Sequence, residues 1–148
     1  MTCADDAQGL AERVCAYLYA HDKASQSLDI RIVSVAPGQV TLAMPVRQDM
    51  INGIAICHGG FIVSLADTAL AFASHSDNRR GVVSSLTVDF VSPACYQDML
   101  TACAKQTAQT TKTSIYDVCV YNQHERLVAV LRGRVHRLGE SVVFASLS

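Results

Sequence analysis

The chain contains the segment HGGFIVSLADTALAFASH at residues 58–75, and this segment decides the fold. Its apolar residues recur at the three- and four-residue spacing of a helix, and alanine has the strongest helix propensity. The apolar stretch at 61–73 is about 13 residues long and contains an acid, whereas a membrane crossing needs roughly 20 residues. We therefore predict a buried central helix at 58–75.

Strand-like runs lie on both sides of this helix. The two that precede it, at 28–35 and 39–46, are joined by Pro37-Gly38, which supplies the turn of a hairpin. Short polar links separate the later runs, which lie at 82–91, 99–108, 113–122 and 127–137. One apolar helix between two sets of strands predicts an α+β fold, in which an antiparallel sheet wraps around the helix.

The composition indicates one globular domain spanning residues 1–148, with a further helix within 1–22. Half of the residues are hydrophobic and 17% are charged, which is enough apolar material for a single core. The net charge is −1 and the basic residues are scattered, so the sequence argues against nucleic-acid binding. The acidic N-terminus, without a signal-peptide pattern, predicts a cytoplasmic protein. The segment 141–148 is left unassigned.

Several kinds of site are absent from the sequence. It contains no GxGxxG or Walker sequence, no HExxH and no GxSxG, and its five histidines are not at metal-ligand spacings. The six cysteines form no CxxC, which favours free thiols. We therefore expect neither a cofactor nor a metal ion.

The start of the central helix is one candidate site. The first N–H groups of a helix have no intrahelical acceptor and lie at the positive end of its dipole. Because Gly59 and Gly60 have no Cβ, a substrate oxygen could reach these donors, as in an oxyanion hole. The alternative is a glycine-rich helix start in which His58 is only a cap or a core residue.

Asp67 is the second candidate. Its neighbours within one turn of the helix are apolar or small, and a carboxylate is costly to bury among them unless it is paired or functional. It is therefore a candidate base or nucleophile. The alternative is a structural carboxylate that is hydrogen-bonded to Ser84 or Ser85.

The spacing of these candidates predicts a dimeric site. Gly59 and Asp67 are eight residues apart, which is about 12 Å along a helix at 1.5 Å per residue. The two residues of one chain cannot act on one carbonyl carbon. If both act on one substrate, the acid must come from a second subunit across a two-fold interface.

These residues resemble a known family. The segments NG at 52–53, CHGG at 57–60 and SLADTA at 64–69 are similar to the hotdog-fold thioesterases, in particular the phenylacetate-catabolism (PaaI-type) group. Similar stretches recur as far as Gly139. The resemblance implies a hotdog fold, a homodimer that pairs into a homotetramer, and hydrolysis of an acyl-CoA or aryl-CoA thioester without a cofactor.

The resemblance also implies roles for single residues. Gly59 N–H would polarise the thioester carbonyl, and Asp67 of the facing subunit would act as nucleophile or as base for water. Asn52 would position the water or the acid, and His58 would orient the loop or contact the thioester. The family also has a serine or threonine on the strand after the helix. Strict alternation turns Val82, Ser84, Leu86, Val88 and Phe90 to the core and leaves Ser85 and Thr87 toward the substrate, of which we favour Ser85.

The resemblance leaves the substrate open. The favoured acyl group is phenylacetyl or a ring-hydroxylated phenylacetyl. The alternatives are a medium-chain or broad-specificity acyl-CoA thioesterase and a non-catalytic acyl-CoA-binding protein. Arg132, Arg134 and His136 alternate on one strand face, where they could bind CoA phosphates or simply be solvated.

Overall fold

The computed structural model of the chain describes residues 2–143, in which it contains three α-helices, one short 3-10 helix (Gln48–Met50) and six strands. The helices are α1 (Cys3–His21), α2 (Lys23–Ser27) and α3 (Gly59–His75). The strands are β1 (Arg31–Ala36), β2 (Gln39–Pro45), β3 (Arg79–Phe90), β4 (Met99–Gln109), β5 (Thr113–Tyr121) and β6 (Leu127–Ser141). Residues 144–148, most of the segment left unassigned in the sequence, lie outside the described range.

The six strands form one sheet in the order β1-β2-β4-β5-β6-β3, and each neighbouring pair is antiparallel. The helix α3 packs on one face of this sheet and buries Leu65, Ala69 and Phe72 in the core. The facing strands contribute buried residues at every second position, such as Leu42 on β2. The predicted α+β arrangement, with an antiparallel sheet around the central helix, is confirmed.

The two edges of the sheet differ. The β1 edge is covered by α1, from which Gln8 Nε2 donates a hydrogen bond to Val35 O at 2.7 Å. The β3 edge has no neighbouring strand in the described part of the chain, although β3 is 12 residues long. Its apolar residues include Val82 and Phe90, whose exposed fractions are 57% and 55%. A long open edge with apolar side chains is a surface that natural proteins usually cover.

Three boundaries differ from the sequence prediction by three residues or more. β3, predicted from residue 82, begins at Arg79. The first strand begins at Arg31 rather than Leu28, because Asp22 caps the short helix α2 by accepting the Ser25 N–H at 2.9 Å. β6 continues to Ser141, where it pairs with the start of β3 at Arg79. No helix within residues 2–143 is both long and apolar enough to cross a membrane.

Candidate active site

Hydrogen bonds to and from Asn52 fix the conformation of the loop before α3. Its side-chain Oδ1 accepts hydrogen bonds from the N–H groups of Ile54 at 3.0 Å and Ile56 at 3.2 Å. Its backbone N–H donates to Ile56 O at 2.8 Å, and Ala55 takes a left-handed conformation with φ of 64° at the tip. Because both donors meet Oδ1, the amide orientation is determined, and Nδ2 remains as the donor that Asn52 can offer to a ligand.

His58 caps α3. Its Nδ1 accepts the Gly60 N–H at 3.2 Å, and its backbone N–H is fixed by Met50 O at 2.7 Å. Of the two glycine N–H groups at the start of α3, that of Gly60 is therefore already hydrogen-bonded to the imidazole. Gly59 N–H has no acceptor within residues 2–143, so it is the donor left for a ligand at the positive end of the helix dipole.

Gly59 opens into a cavity of about 540 Å³. Asn52 and Gly59 line it together with Phe90, and a Cβ at position 59 would lie 2.9 Å from Phe90 Cζ. The structure therefore brings Gly59 and Asn52 to one cavity, beside the tip of the Phe90 ring. This volume falls within the range of small-molecule pockets.

Asp67 lies on the outward side of α3, half-buried. Its Oδ1 is buried and has no hydrogen-bond partner among the described residues, and burial raises the pKa of the carboxyl group. The alternative of a structural hydrogen bond to Ser84 or Ser85 is not observed, since Ser84 Oγ donates instead to Arg134 O at 3.2 Å. A carboxylate with this environment is a candidate functional group.

Asp67 and Gly59 face different cavities of the single chain. Asp67 lines a cavity of about 300 Å³ between α2 and α3, and the residues around it are all different from those around the Gly59 cavity. The structure thus brings Gly59, Asn52 and His58 together at one end of α3 and leaves Asp67 apart, as the rise of about 12 Å along the helix requires.

The alternation predicted for β3 was wrong for Val82 and Ser84. The register shifts between Val83 and Ser85, so a bulge exchanges the faces at this point and Val83, rather than Val82, packs against the core. After the bulge, Leu86 faces α3, because a Cβ on the paired Gly133 would meet both Leu86 and Leu70.

Ser85 is therefore exposed on the edge strand, on the face that points away from α3. The single chain places Ser85 opposite Arg134 in the sheet register. It does not bring Ser85 to the cavity that Asp67 lines, nor to the one that Gly59 lines.

The basic face of β6 is exposed, but its first arginine is paired. Arg132 makes a two-pronged ion pair with Asp117, at 2.7 Å and 2.8 Å. This pairing favours a solvated strand face over a phosphate site for Arg132. The residues within 2–143 contain no cluster of three or more His, Cys, Asp or Glu side chains that could hold a metal ion.

Comparison with known proteins identifies the family of this fold and site. A family model described as the thioesterase superfamily matches residues 55–129, which span the end of the loop, α3, β3, β4, β5 and the start of β6. The chain belongs to the thioesterase superfamily. This membership confirms the predicted hotdog fold and the predicted enzyme class, thioester hydrolase.

Similar members of the thioesterase superfamily cover most of the chain. The acyl-coenzyme A thioesterase PaaI of Escherichia coli K12 is 39% identical over 84% of this chain and 89% of its own length. The structure of E. coli PaaI, from the phenylacetic acid degradation operon, has a TM-score of 0.89 at 37% identity, covering 90% of this chain and 97% of that one. A single-site mutant of the phenylacetic acid degradation protein PaaI from Thermus thermophilus has a TM-score of 0.76 at 32% identity, covering 79% of this chain and 100% of that one. The predicted resemblance to the PaaI-type group is confirmed.

Two parts of this thioesterase's cavities were missed from the sequence. Phe90 was assigned to the core, yet the tip of its ring points at Gly59 and the residue is largely exposed. The α2 helix, which lines the Asp67 cavity, lies between the predicted N-terminal helix and the first predicted strand at 28–35, and the sequence prediction did not include it. The pattern Asp22-Lys-Ala-Ser25 is a helix N-terminus signal and could have revealed α2. Nothing local in the sequence indicated the position of Phe90.

Proposed function

We propose that the chain is an acyl-CoA thioesterase of phenylacetate degradation, which hydrolyses phenylacetyl-CoA or a ring-hydroxylated phenylacetyl-CoA to the free acid and CoA. The observation that carries the proposal is the free Gly59 N–H at the start of α3, beside Asn52, in a chain 39% identical to the E. coli acyl-CoA thioesterase PaaI. A backbone donor at this position suits the oxygen of a tetrahedral intermediate.

The site would be completed by a second copy of the chain. Asp67 is about 12 Å from Gly59 along α3, so the acid that faces the Gly59 cavity would be Asp67 of a partner. The open β3 edge, with exposed Val82 and Phe90, supports a homodimer formed along this strand. Pairing of dimers into a homotetramer belongs to the same proposal.

The chemistry would use each group in one role. Gly59 N–H would stabilise the negative charge on the thioester oxygen, and Asp67 would either attack the carbonyl carbon or take a proton from the attacking water. In the general-base route the water oxygen enters the free acid as the C–S bond breaks. In the covalent route the C–S bond breaks as Asp67 forms an anhydride with the acyl group, and water then hydrolyses that anhydride to the free acid and the Asp67 carboxylate. In both routes the CoA sulfur takes up a proton and leaves as the thiol. His58 would hold the loop and the Gly60 N–H, so that Gly59 is the donor presented to substrate.

Asn52 would act through its amide donor. Its Oδ1 already accepts two backbone N–H groups, so Nδ2 would orient either the water oxygen or the carboxylate of the facing acid. Ser85 would contribute only if dimer formation brings the edge strand of one chain to the site of the other. The single chain provides no contact that supports that role.

The test is a panel of CoA thioesters with thiol release as the readout, for wild type and Asp67→Asn. We expect hydrolysis by wild type and a loss of roughly a hundredfold or more in kcat for the variant, with substrate binding retained. Unchanged hydrolysis in the variant would refute the role of Asp67. Binding without turnover by wild type would instead indicate the non-catalytic alternative, and equal rates for hexanoyl-CoA and phenylacetyl-CoA would indicate the broad-specificity one.

The dimeric arrangement has its own test. Mixing a Gly59-disabled protein, such as Gly59→Val, with Asp67→Asn should restore some activity, because half of the sites in a heterodimer would receive both intact groups. Verified subunit exchange without recovery would contradict a site shared between chains.

A further inference from the structure

The outer face of the sheet, which points away from α3, carries two cysteines on neighbouring strands. Cys103 lies on β4 and Cys119 lies on β5, and the antiparallel register of these strands places the two residues directly opposite each other. Their neighbours along each strand, such as Ala102 and Val118, are buried in the core, so the two thiols lie on the opposite face. Both thiols are free and partly exposed. Neither takes part in the proposed hydrolysis.

Direct register partners in an antiparallel sheet meet the distance requirement of a disulfide. Opposite residues have Cα atoms about 4.5 or 5.5 Å apart, depending on whether they exchange hydrogen bonds, and a disulfide spans Cα separations of about 4.4–6.8 Å. The register between β4 and β5 is continuous from Thr101 to Gln106, so no bulge lies beside the pair. Oxidation of the two thiols therefore requires rotation of the side chains but no shift of either strand.

The other four cysteines lack such a partner. Cys15 and Cys57 are buried, and burial raises the pKa of each thiol to about 11, so almost none of either is thiolate at neutral pH. Cys3 and Cys95 are exposed, but neither lies on a strand. Among the cysteines of residues 2–143, the pair on the outer face is therefore the only one that the sheet register holds together.

The phenol of Tyr121 lies on the same face as the pair. Tyr121 is two residues beyond Cys119 on β5, opposite Thr101 on β4. Charge on Cys119 raises the pKa of this phenol, and charge on Cys103 raises it further. Because both thiols act on one phenol, their sulfur atoms lie on the same side of the sheet and near each other.

A cavity of about 320 Å³ gives a small molecule access to one of the two thiols. Cys119 lines this cavity and Cys103 does not. The cavity extends across β6 to Thr87 and Asp89 on β3. A reagent that enters it would meet the sulfur of Cys119 first, and the sulfur of Cys103 would react afterwards.

We propose that Cys103 and Cys119 form a reversible dithiol–disulfide site, in which Cys119 reacts first with a small disulfide molecule and Cys103 completes the exchange. The Cys119 thiolate attacks one sulfur of the reagent, which forms a mixed disulfide and releases the first reagent thiol. The Cys103 thiolate then attacks the sulfur of Cys119 and releases the second reagent thiol. The two protein thiols lose their protons and are oxidised to one disulfide, and the reagent disulfide is reduced to two thiols that take up those protons.

The first test uses the full chain and a neutral reagent, bis(2-hydroxyethyl) disulfide, since charged side chains also line the cavity. It is done in Cys95→Ser protein, because Cys95 and Cys103 share one tryptic peptide, residues 81–105. We expect the protein to lose two hydrogen atoms and to form a disulfide between peptides 81–105 and 113–126, both reversed by dithiothreitol. Free thiols at positions 103 and 119 after incubation with excess reagent would overturn the proposal.

Single substitutions test the order of the two steps. Cys103→Ser should stop at a mixed disulfide on Cys119, which adds one half of the reagent to the mass. Cys119→Ser should be modified at Cys103 much more slowly, because Cys103 does not line the cavity. Rapid modification of Cys119→Ser, with slow modification of Cys103→Ser, would overturn the assignment of Cys119 as the first thiol to react.

A control for the register moves the second thiol along the same face. Cys119→Ser combined with Tyr121→Cys places a thiol diagonal to Cys103, where residues are about 7–8 Å apart, and an unstrained disulfide does not span that separation. In a buffer of reduced and oxidised reagent, this variant should contain far less intramolecular disulfide than the parent protein at equilibrium. Equal amounts in the two proteins would overturn the role of the register.

Thermal unfolding reports whether the disulfide fits the native strands. It would close residues 104–118 into a loop, so the oxidised protein should have a Tm about 5 °C above that of the reduced protein. A lower Tm after oxidation would show that the strands must shift, and would overturn the proposal. Mass and Tm do not depend on hydrolysis. A protein that hydrolyses no thioester but forms this disulfide would refute the proposed function alone, and an active protein that does not form it would refute only the dithiol site.

Discussion

The ring of Phe90 lies against Gly59, so that a Cβ at position 59 would come within 2.9 Å of Phe90 Cζ. This contact by itself favours a glycine at position 59, independently of any need for a substrate to approach the backbone. The tip of this ring, from the edge strand, lies where a side chain at position 59 would stand, so a side chain there would push the ring aside.

Gly59→Ala should therefore lose activity even though it keeps the backbone donor. We expect kcat/KM to fall at least tenfold in a thioesterase assay, because the added Cβ moves Phe90 and narrows the cavity. Gly53→Ala in the same loop is the matched control, since a Cβ there meets no atom within 4 Å. Full activity in Gly59→Ala would show that the contact with Phe90 is unimportant.

The cap at His58 should contribute to stability as well as to the site. His58→Ala leaves the Gly60 N–H without its acceptor and should cost about 1 kcal/mol in the free energy of unfolding, a typical value for an N-cap. His58→Asn restores a side-chain acceptor at the N-cap and should recover most of that loss. Denaturant unfolding of wild type and of both variants measures these changes in the free energy of unfolding. Equal destabilisation of the two would contradict capping and point to another role for the imidazole.

Asp67→Asn should stabilise the protein at neutral pH while it impairs hydrolysis. Burial raises the pKa of Asp67, so the folded state favours the protonated form. The favourable contribution of this group is present below the unfolded pKa of about 4 and is lost as pH rises through the folded pKa. The neutral amide of Asp67→Asn does not ionise, so the variant does not lose this stability as the pH rises.

We expect a gain of about 1 kcal/mol at pH 7, which raises Tm by about 2–4 °C for a chain of this size. The gain should disappear at a pH of about 3.5, where the carboxyl group is largely protonated in both states. Thermal unfolding of wild type and Asp67→Asn at the two pH values tests this. A variant that is less stable than wild type at pH 7 would show that the carboxylate has a stabilising partner in the assembled protein.

Cys57 should take no part in the chemistry, although it lines the Gly59 cavity. Burial raises the pKa of this thiol to about 11, so almost none of it is thiolate at neutral pH. Iodoacetamide should modify the exposed Cys3 and Cys95 first and leave activity intact. Rapid inactivation with alkylation of Cys57, identified by mass spectrometry of the peptides, would contradict this expectation.

The central helix and the order of the elements were predictable from the sequence because their causes are local. Apolar spacing at 58–75 defines α3, and Pro37-Gly38 defines the first hairpin. The predicted strands agree with the observed ones to within a few residues. Prediction was wrong at Val82 and Ser84, because a bulge in β3 depends on its pairing with β6 and leaves no mark in the strand itself.

The same distinction between local causes and long-range causes applies to the candidate site residues. The sequence by itself determined that His58, Gly59 and Asp67 share one helix, and its rise of about 1.5 Å per residue already separated the donor from the acid. Only the tertiary structure decided that His58 takes the Gly60 N–H, that Asn52 is left with its amide donor, and that Phe90 and α2 form walls of the two cavities. These relations join residues that are distant in the chain or depend on the orientation of a side chain, and packing rather than local propensity sets them.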